Sequence, residues 1–257
     1  VINPKEVLNQ LEKELEQKGV KIIKGSKINN INSNERKFEI NNSTLVSYDY
    51  LFNTTGLQSD RISKLFQIKH PFVLLPFKGL YWKLKSNCPI KIKANIYPVP
   101  DLNVPFLGIH FTPNTYGDVF IGPTATAAWG RENYYDLENI EPQMAVNNLF
   151  ILGKQYLYNK GGFRRYVHDQ AFQSFKPFLV KAAQKLIPEI KTEYIEFSNK
   201  VGIRAQLYNL EKMSLVDDFL SINEKSSTHI LNAISPAFTS SFELADLIIN
   251  QSNLSTS

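Results

Sequence analysis

Cysteine is almost absent from the 257 residues: Cys88 is the only one. A single thiol cannot close an internal disulfide or build a cysteine-ligated zinc site, and such scarcity suits a reducing compartment. Long apolar runs are missing as well. None reaches the roughly 18 residues that a bilayer-spanning helix needs, and no stretch reads as a signal peptide. There is no internal repeat and no low-complexity tract. A strong charge of one sign is also lacking: 29 basic against 24 acidic residues leave +5, with a pI near 9.0. That excess is scattered as single lysines, which argues against a nucleic-acid partner and leaves room for a weak attraction to an anionic membrane surface.

What is present describes an ordinary soluble globular chain, 43% hydrophobic and 21% charged, long enough to bury a large core in one domain or two intimate ones. "NPKEVLNQLEKELEQKG" predicts a helix. Asn3 is a good N-cap, Pro4 suits the first helical position, Glu6 stands where a capping box places it, and Gly19 ends the helix. Val7, Leu8, Leu11 and Leu15 make one apolar stripe. "VKIIKG" reads as a buried strand, and "KFEI" and "TLVSYDYLFNTTG" as further strands. "QSDRISKLF" reads as a short helix, capped by Ser59 or Asp60. Helix, strand, small antiparallel excursion and strand together suggest the second half of a nucleotide-binding α/β domain.

From Lys69 the texture changes. "FVLLPFKGLYWKL", "IKIKANIYPVP", "VPFLGIHFT" and "GDVFIGPTA" are aromatic and β-branched, and Pro and Gly interrupt them, as in an antiparallel sheet. Helical patterns follow in "AVNNLFILGKQYLYN" and "AFQSFKPFLVKAAQKLI". Strands return in "YIEFSNKVGIRAQLY", "LVDDFLSIN" and "HILNAIS", and a last helix begins near Ser241.

The ordered series "NTTGLQSDRIS", "PFKGLYW", "IYPVPDLNVPFLGIHFT", "IGPTA", "VGIRAQ", "LVDDF" and "NAISPAFTSS" resembles the L-2-hydroxyglutarate dehydrogenase/oxidase branch of the FAD-dependent oxidoreductase family that includes D-amino acid oxidase and glycine oxidase. The likeness runs through essentially the whole chain. It implies an α/β (α+β) fold: an incomplete Rossmann-like FAD-binding domain with an inserted antiparallel substrate sheet. It divides the chain into residues 1–68 (second half of the FAD domain), 69–200 (substrate domain) and 201–257 (return to the FAD domain with a closing helix). Such enzymes begin with a G-x-G-x-x-G turn that cradles the FAD pyrophosphate, and none of the twelve glycines here forms one. The resemblance therefore sets the chain against the C-terminal three-fifths of such an enzyme. Val1 then fits a fragment, or a split gene whose product pairs with a separate N-terminal chain.

On the FAD side the resemblance points to Thr55 and Gly56 at a strand end, to Gly79, and to Ser235, Pro236, Thr239 and Ser240 before the closing helix. A plain strand-to-helix turn is the other reading of Thr54–Gly56. In Ser240–Glu243 the pattern Ser-x-x-Glu predicts a capping box, whose free amides and positive dipole end suit the negative charge of a reduced flavin. Arg204 is flanked by apolar residues and suits a substrate carboxylate; a bridge to Asp217 or Asp218 is its structural alternative. Lys78 and Tyr81 join it as substrate contacts, although lysine lacks arginine's two-pronged grip. His110, with an ordinary pKa near 6.5, is the candidate general base. His70 and His168 sit in no motif, and His229 precedes an expected buried strand.

The chemistry implied is hydride transfer from C2 of a 2-hydroxy acid to FAD, turning L-2-hydroxyglutarate into 2-oxoglutarate, with oxygen or a quinone as electron acceptor. No metal is called for. A cytoplasmic enzyme, or one held peripherally at the inner membrane, would suit this chemistry. The rivals are an amino acid or glycerol 3-phosphate as substrate, and an inactive remnant of such a flavoprotein.

Overall fold

The computed structural model of the chain describes residues 2–99, 108–159 and 162–256. The middle of the "YPVPDLNVPFLGIHFT" motif, residues 100–107, lies outside them. By contacts the chain divides into two units: residues 1–22 with 77–204, and 23–76 with 205–257.

The first unit opens with α1 (Pro4–Gln17). Asn3 Oδ1 accepts from the Lys5 amide at 3.1 Å, and Asn3 Nδ2 donates to the Glu6 carboxylate at 2.8 Å. Glu6 thus returns to the Asn3 side chain, where a full capping box would use the backbone. At the other end Gly19 adopts φ +84. The amides of Gly19 and Val20 bond to the carbonyls of Glu16 and Leu15, the paired closure that a left-handed glycine permits.

The main element of this unit is an antiparallel sheet. Its strands in spatial order are β10 (Ile195–Arg204), β6 (Phe77–Leu84), β8 (Val119–Gly122) and β7 (His110–Pro113), and β9 (Thr126–Ala127) pairs with β6. One face is the core. Leu84, Phe111, Ile121 and Ile195 pack with Leu179, Val180 and Ala183 of α5 (Lys176–Ala183), and Phe111, Ile121, Ile195 and Leu179 are fully buried. Each such side chain contributes about 1.5–3 kcal/mol of apolar burial. Helices α3 (Pro142–Tyr158) and α4 (Phe163–Gln173) complete the unit. Arg164 of α4 donates from Nε and Nη2 to the Tyr156 and Leu157 carbonyls at the end of α3, which satisfies acceptors that a helix terminus leaves free.

The second unit carries three small sheets. β1 (Ile28–Asn32), β2 (Lys37–Ile40) and β3 (Thr44–Ser47) form a meander. β5 (Phe72–Leu74), β11 (Leu207–Asn209) and β12 (Ser214–Leu215) form another sheet. In the third, β14 (Ser227–Asn232) pairs antiparallel with β13 (Leu220–Glu224) and parallel with β4 (Leu51–Asn53). α2 (Ser59–Leu65) follows β4, and α6 (Ser241–Gln251) follows β14.

Several expectations are corrected. "VKIIKG" is not a strand: residues 20–25 pair with no neighbour among the described residues, and Val20 and Ile23 are exposed. A run of apolar residues specifies a buried strand only where strands flank it. Among the described residues "IKIKANIYPVP" supplies only the isolated Ile96–Phe111 bridge; Pro98 within it cannot donate to a ladder. Gln58, not Ser59 or Asp60, caps α2. His229 lies inside β14 rather than before it.

Candidate functional site

The ladders of the first unit decide which side chains can meet. Phe111 pairs with Ile121, and Ile121 with Trp82, so that row faces the core. The next row must face the opposite way, because strand side chains alternate. It holds His110 on β7, Gly122 on β8 and Tyr81 on β6. His110 pairs with Gly122, and a Cβ added at Gly122 would meet the Tyr81 Cα at 3.5 Å. Arg204 pairs with Phe77, two steps of two from Tyr81, and Gly202 pairs with Gly79. His110, Tyr81 and Arg204 therefore share one face.

Electrostatics bind the same three together. His110 Nδ1 lies 3.1 Å from the Gly108 carbonyl. A carbonyl only accepts, so Nδ1 carries the proton and Nε2 keeps its lone pair. Burial lowers the His110 pKa, and the charges of Arg204 and then Lys200 push the same way against the Gly108 hydrogen bond. The ring is thus a neutral acceptor at neutral pH. It stacks on Tyr97 with centroids 4.7 Å apart. Burial raises the Tyr81 pKa, partly offset by Arg204, so its phenol stays a hydrogen-bond donor.

Two of the expected residues stand apart. Lys78 pairs with Ile203 and lies on the face opposite Tyr81, where its ammonium donates to Asn133 Oδ1 at 3.1 Å. Burial lowers its pKa, and Asp136 opposes that shift. Gly79 is on the Tyr81 face but covered: a Cβ there would meet Pro123 Cβ at 2.8 Å. Gly202, its partner, has nothing within 4 Å of an added Cβ. Lys200, which sequence reasoning passed over, does reach the cluster. Its ammonium lies 4.7 Å from the Tyr81 ring centre and 4.2 Å from that of Phe120.

In the second unit the parallel pairing ends at Asn53 opposite His229, and β14 runs on to Asn232. Buried Asn53, also missed, organises the turn after β4. Its Oδ1 accepts from the Thr55 hydroxyl at 2.7 Å and the Thr55 amide at 3.3 Å, while its Nδ2 donates to the Ser59 carbonyl and to His229 Nδ1. Gly56 then takes φ +53 with nothing within 4 Å of an added Cβ. His229 is fully buried. It donates from Nε2 to Ser227, packs edge-on against Phe66, and has its pKa lowered to about 4, first by burial and then by the charge of His70.

After β14, residues 233–239 line an open cleft of about 330 Å³. The expected capping box before α6 does not form. The hydroxyls of Thr239 and Ser240 both donate to the Pro236 carbonyl at 3.0 Å, as does the Ser240 amide at 3.1 Å. Ser240 caps α6 without a side-chain bond to its amides, and its φ −106 and ψ 20 are not the extended backbone from which a capping oxygen reaches them. Next to this cleft in sequence, buried Asn232 Oδ1 has no hydrogen-bond partner among the described residues. Strand ends of a parallel pair, an open glycine turn and an unused buried acceptor are what a nucleotide's ribose and ring groups need. The residues present fit that part of FAD, and no glycine-rich pyrophosphate cradle occurs among the 257 residues.

Residues 1–251 match the FAD dependent oxidoreductase family (DAO). Among curated proteins the chain is similar to the mitochondrial L-2-hydroxyglutarate dehydrogenase of Caenorhabditis briggsae, 35% identical over 95% of this chain and 58% of the relative. It is also similar to that of Caenorhabditis elegans, 37% identical over 78% and 47%. The chain thus spans about half the length of the curated relatives it matches. Among solved structures it resembles the FAD-bound L-alpha-glycerophosphate oxidase of Mycoplasma pneumoniae, with a TM-score of 0.61 at 14% identity, over 91% of this chain and 52% of the other. At that identity the likeness concerns the fold.

Proposed function

Because this chain belongs to the FAD-dependent oxidoreductase family, we propose that it supplies the substrate face and part of the cofactor site for oxidation of a 2-hydroxy acid, L-2-hydroxyglutarate, to 2-oxoglutarate. The observation that carries this reading is the His110 face. A neutral imidazole with a free Nε2 stands in one sheet row with Tyr81, and Arg204 acts on both. The names of the curated relatives support the choice of substrate.

In this reading the Arg204 guanidinium holds the carboxylate beside C2 through paired, charge-assisted hydrogen bonds. Tyr81 donates from its phenol to the same end of the substrate. His110 Nε2 takes the hydroxyl proton as the C2 hydride departs, so the alcohol loses two electrons and one proton goes to the ring. Bound FAD supplies the hydride acceptor. Thr55, Gly56, Ser235, Pro236, Thr239 and Ser240 are the residues assigned to hold it. Gly79 contributes by letting Pro123 close over the sheet. Oxygen or a quinone receives the electrons afterwards. The quinone case would bring the enzyme to the surface of an inner membrane as a peripheral protein; among the described residues no helix is long and apolar enough to cross one.

The test is a substrate panel given anaerobically to the FAD-loaded protein, read as bleaching of the flavin. L-2-hydroxyglutarate should bleach it faster than its D isomer, glycine or glycerol 3-phosphate. Preferential bleaching by an amino acid or a phosphate ester would replace this reading.

A further inference from the structure

We propose that Lys200 makes this face selective for a dicarboxylate: it holds the distal carboxylate of the 2-hydroxy acid while Arg204 holds the one beside the reacting carbon. This rests on the reading of the His110 face as the substrate face.

The argument begins with a bulge. The register between β10 and β6 shifts between Phe197 and Val201, and the Lys200 amide turns onto the Ser198 hydroxyl at 3.1 Å. Extra residues in one strand re-aim a side chain. Here they bring the Lys200 ammonium over the rings of Tyr81 and Phe120, 4.7 and 4.2 Å from their centres. Phe120 pairs with Lys83, the residue two beyond Tyr81 on β6, so both rings belong to the substrate face.

Two cations therefore flank Tyr81 from one strand, four residues and at most about 13 Å apart at their Cα atoms. Both depress the proton affinity of His110, and Arg204 does so more strongly. The proposed function places Arg204 at the carboxylate beside C2. That leaves Lys200, four residues away on the same strand and over the Tyr81 ring, for a second carboxylate. A five-carbon diacid has that same polarity, with one carboxylate at the reacting end and another roughly 5 Å away, four bonds of about 1.5 Å in zigzag.

The state of the ammonium agrees with this role. Although the residue is exposed overall, desolvation lowers the Lys200 pKa. Asp118 and Glu196 line the same cleft as Lys200, but Glu196 is paired with Lys83 at 3.2 Å and Asp118 accepts from Asn114 at 3.1 Å, while the Lys200 ammonium rests against aromatic faces. Aromatic faces compensate lost hydration only in part; an incoming carboxylate would complete the compensation.

The experiment compares glutarate with butyrate, unreactive ligands with two carboxylates and one, binding to FAD-loaded wild-type, Lys200→Met and Lys200→Arg proteins. Perturbation of the flavin spectrum reads affinity. The wild type should prefer glutarate at least tenfold. Lys200→Met should weaken glutarate about 10–100-fold, the loss of a charge-assisted contact, and leave butyrate within about twofold. Lys200→Arg should keep most of the preference. With substrate, Lys200→Met should raise KM for the hydroxy diacid with little change in kcat, and move the acid limb of kcat/KM to higher pH as a cation leaves His110. Equal weakening of both ligands would assign Lys200 to holding Tyr81 and Phe120 and overturn the proposal, as would a wild type with no preference or a Lys200→Met protein that keeps it. Oxidation of L-2-hydroxyglutarate by the wild type tests the substrate reading separately. If oxidation fails while the glutarate preference depends on Lys200, only that reading falls.

Discussion

The His110 face and the turns at the ends of β4 and β14 are built on opposite plans. In the first, regular strands aim side chains outward, and the ladder register decides which ones meet. In the second, the polar side chains fold back on their own backbone: Thr55 onto Asn53, Thr239 and Ser240 onto Pro236. The first plan exposes functional groups and leaves chemistry to be done by individual residues. The second spends its side chains on holding loop shape and leaves mainly backbone facing outward for the cofactor proposed there. Single substitutions should therefore act on turnover in one region and on stability in the other.

The largest effect expected is that of His110→Gln. Loss of a general base costs about 10²–10⁴-fold in kcat, with substrate affinity little changed. In the wild type, the lowered pKa means that kcat/KM should rise with pH through a value below the ordinary 6.5 and then stay flat. Near-normal kcat across that range in the Gln variant would remove His110 from the chemistry.

Arg204→Lys comes next. It keeps the charge and loses the fork, and kcat/KM should fall by one to three orders of magnitude, roughly 1.4–4 kcal/mol. Wild-type kinetics in a normally folded variant would make Arg204 structural.

The third prediction moves to the second unit and to acid. His229 titrates at about 4 when folded and near 6.5 when unfolded. Below pH 6.5 the unfolded chain takes up a proton that the folded one refuses. The stability His229 contributes is thus complete above pH 6.5 and is lost as pH falls toward 4, on the order of 3 kcal/mol in all. Urea titrations at pH 7 and pH 4.5 should differ more in the wild type than in His229→Gln. An equal difference would clear His229 of this role.

The smallest effect separates two glycines in one sheet. Gly122 has φ +134, and an added Cβ would meet the Leu80 carbonyl at 2.9 Å; Gly122→Ala should cost about 1–3 kcal/mol. Gly202→Ala meets nothing and should stay within about 0.5 kcal/mol. If Gly202→Ala nevertheless lowers substrate or flavin affinity, the open space above it is part of the site; thermal melts and binding titrations distinguish the two effects.

Much of this was legible in the sequence, and the exceptions share a cause. Asn3, Gly19 and the apolar patterns of β6, β8, β10 and β14 signal their elements locally, and the structure realises them. His110, Tyr81 and Arg204 stand together because strand periodicity carried them there. The same periodicity could have separated Lys78 from Tyr81, which are three residues apart and so on opposite faces. Lys200 was hidden because a bulge breaks the period of two that sequence reading depends on. Asn53 gave only the signal of an asparagine closing a strand before Thr-Thr-Gly. The Ser240–Glu243 box failed because the turn from Pro236 leaves Ser240 at φ −106 and ψ 20, not the extended backbone a capping residue needs.

Gly122 has one further consequence. It occupies the strand between the one bearing Tyr81 and the one bearing His110, so two hydrogen-bonded strand spacings separate those Cα atoms, roughly 9–10 Å. That span is a ruler graduated by the ladder itself. Rotamer changes can tilt the phenol or the imidazole, but neither Cα can slide toward the other without breaking backbone bonds across three strands. An enzyme built this way would change its preferred ligand by exchanging the residues at the two marks, since the scale between them is fixed.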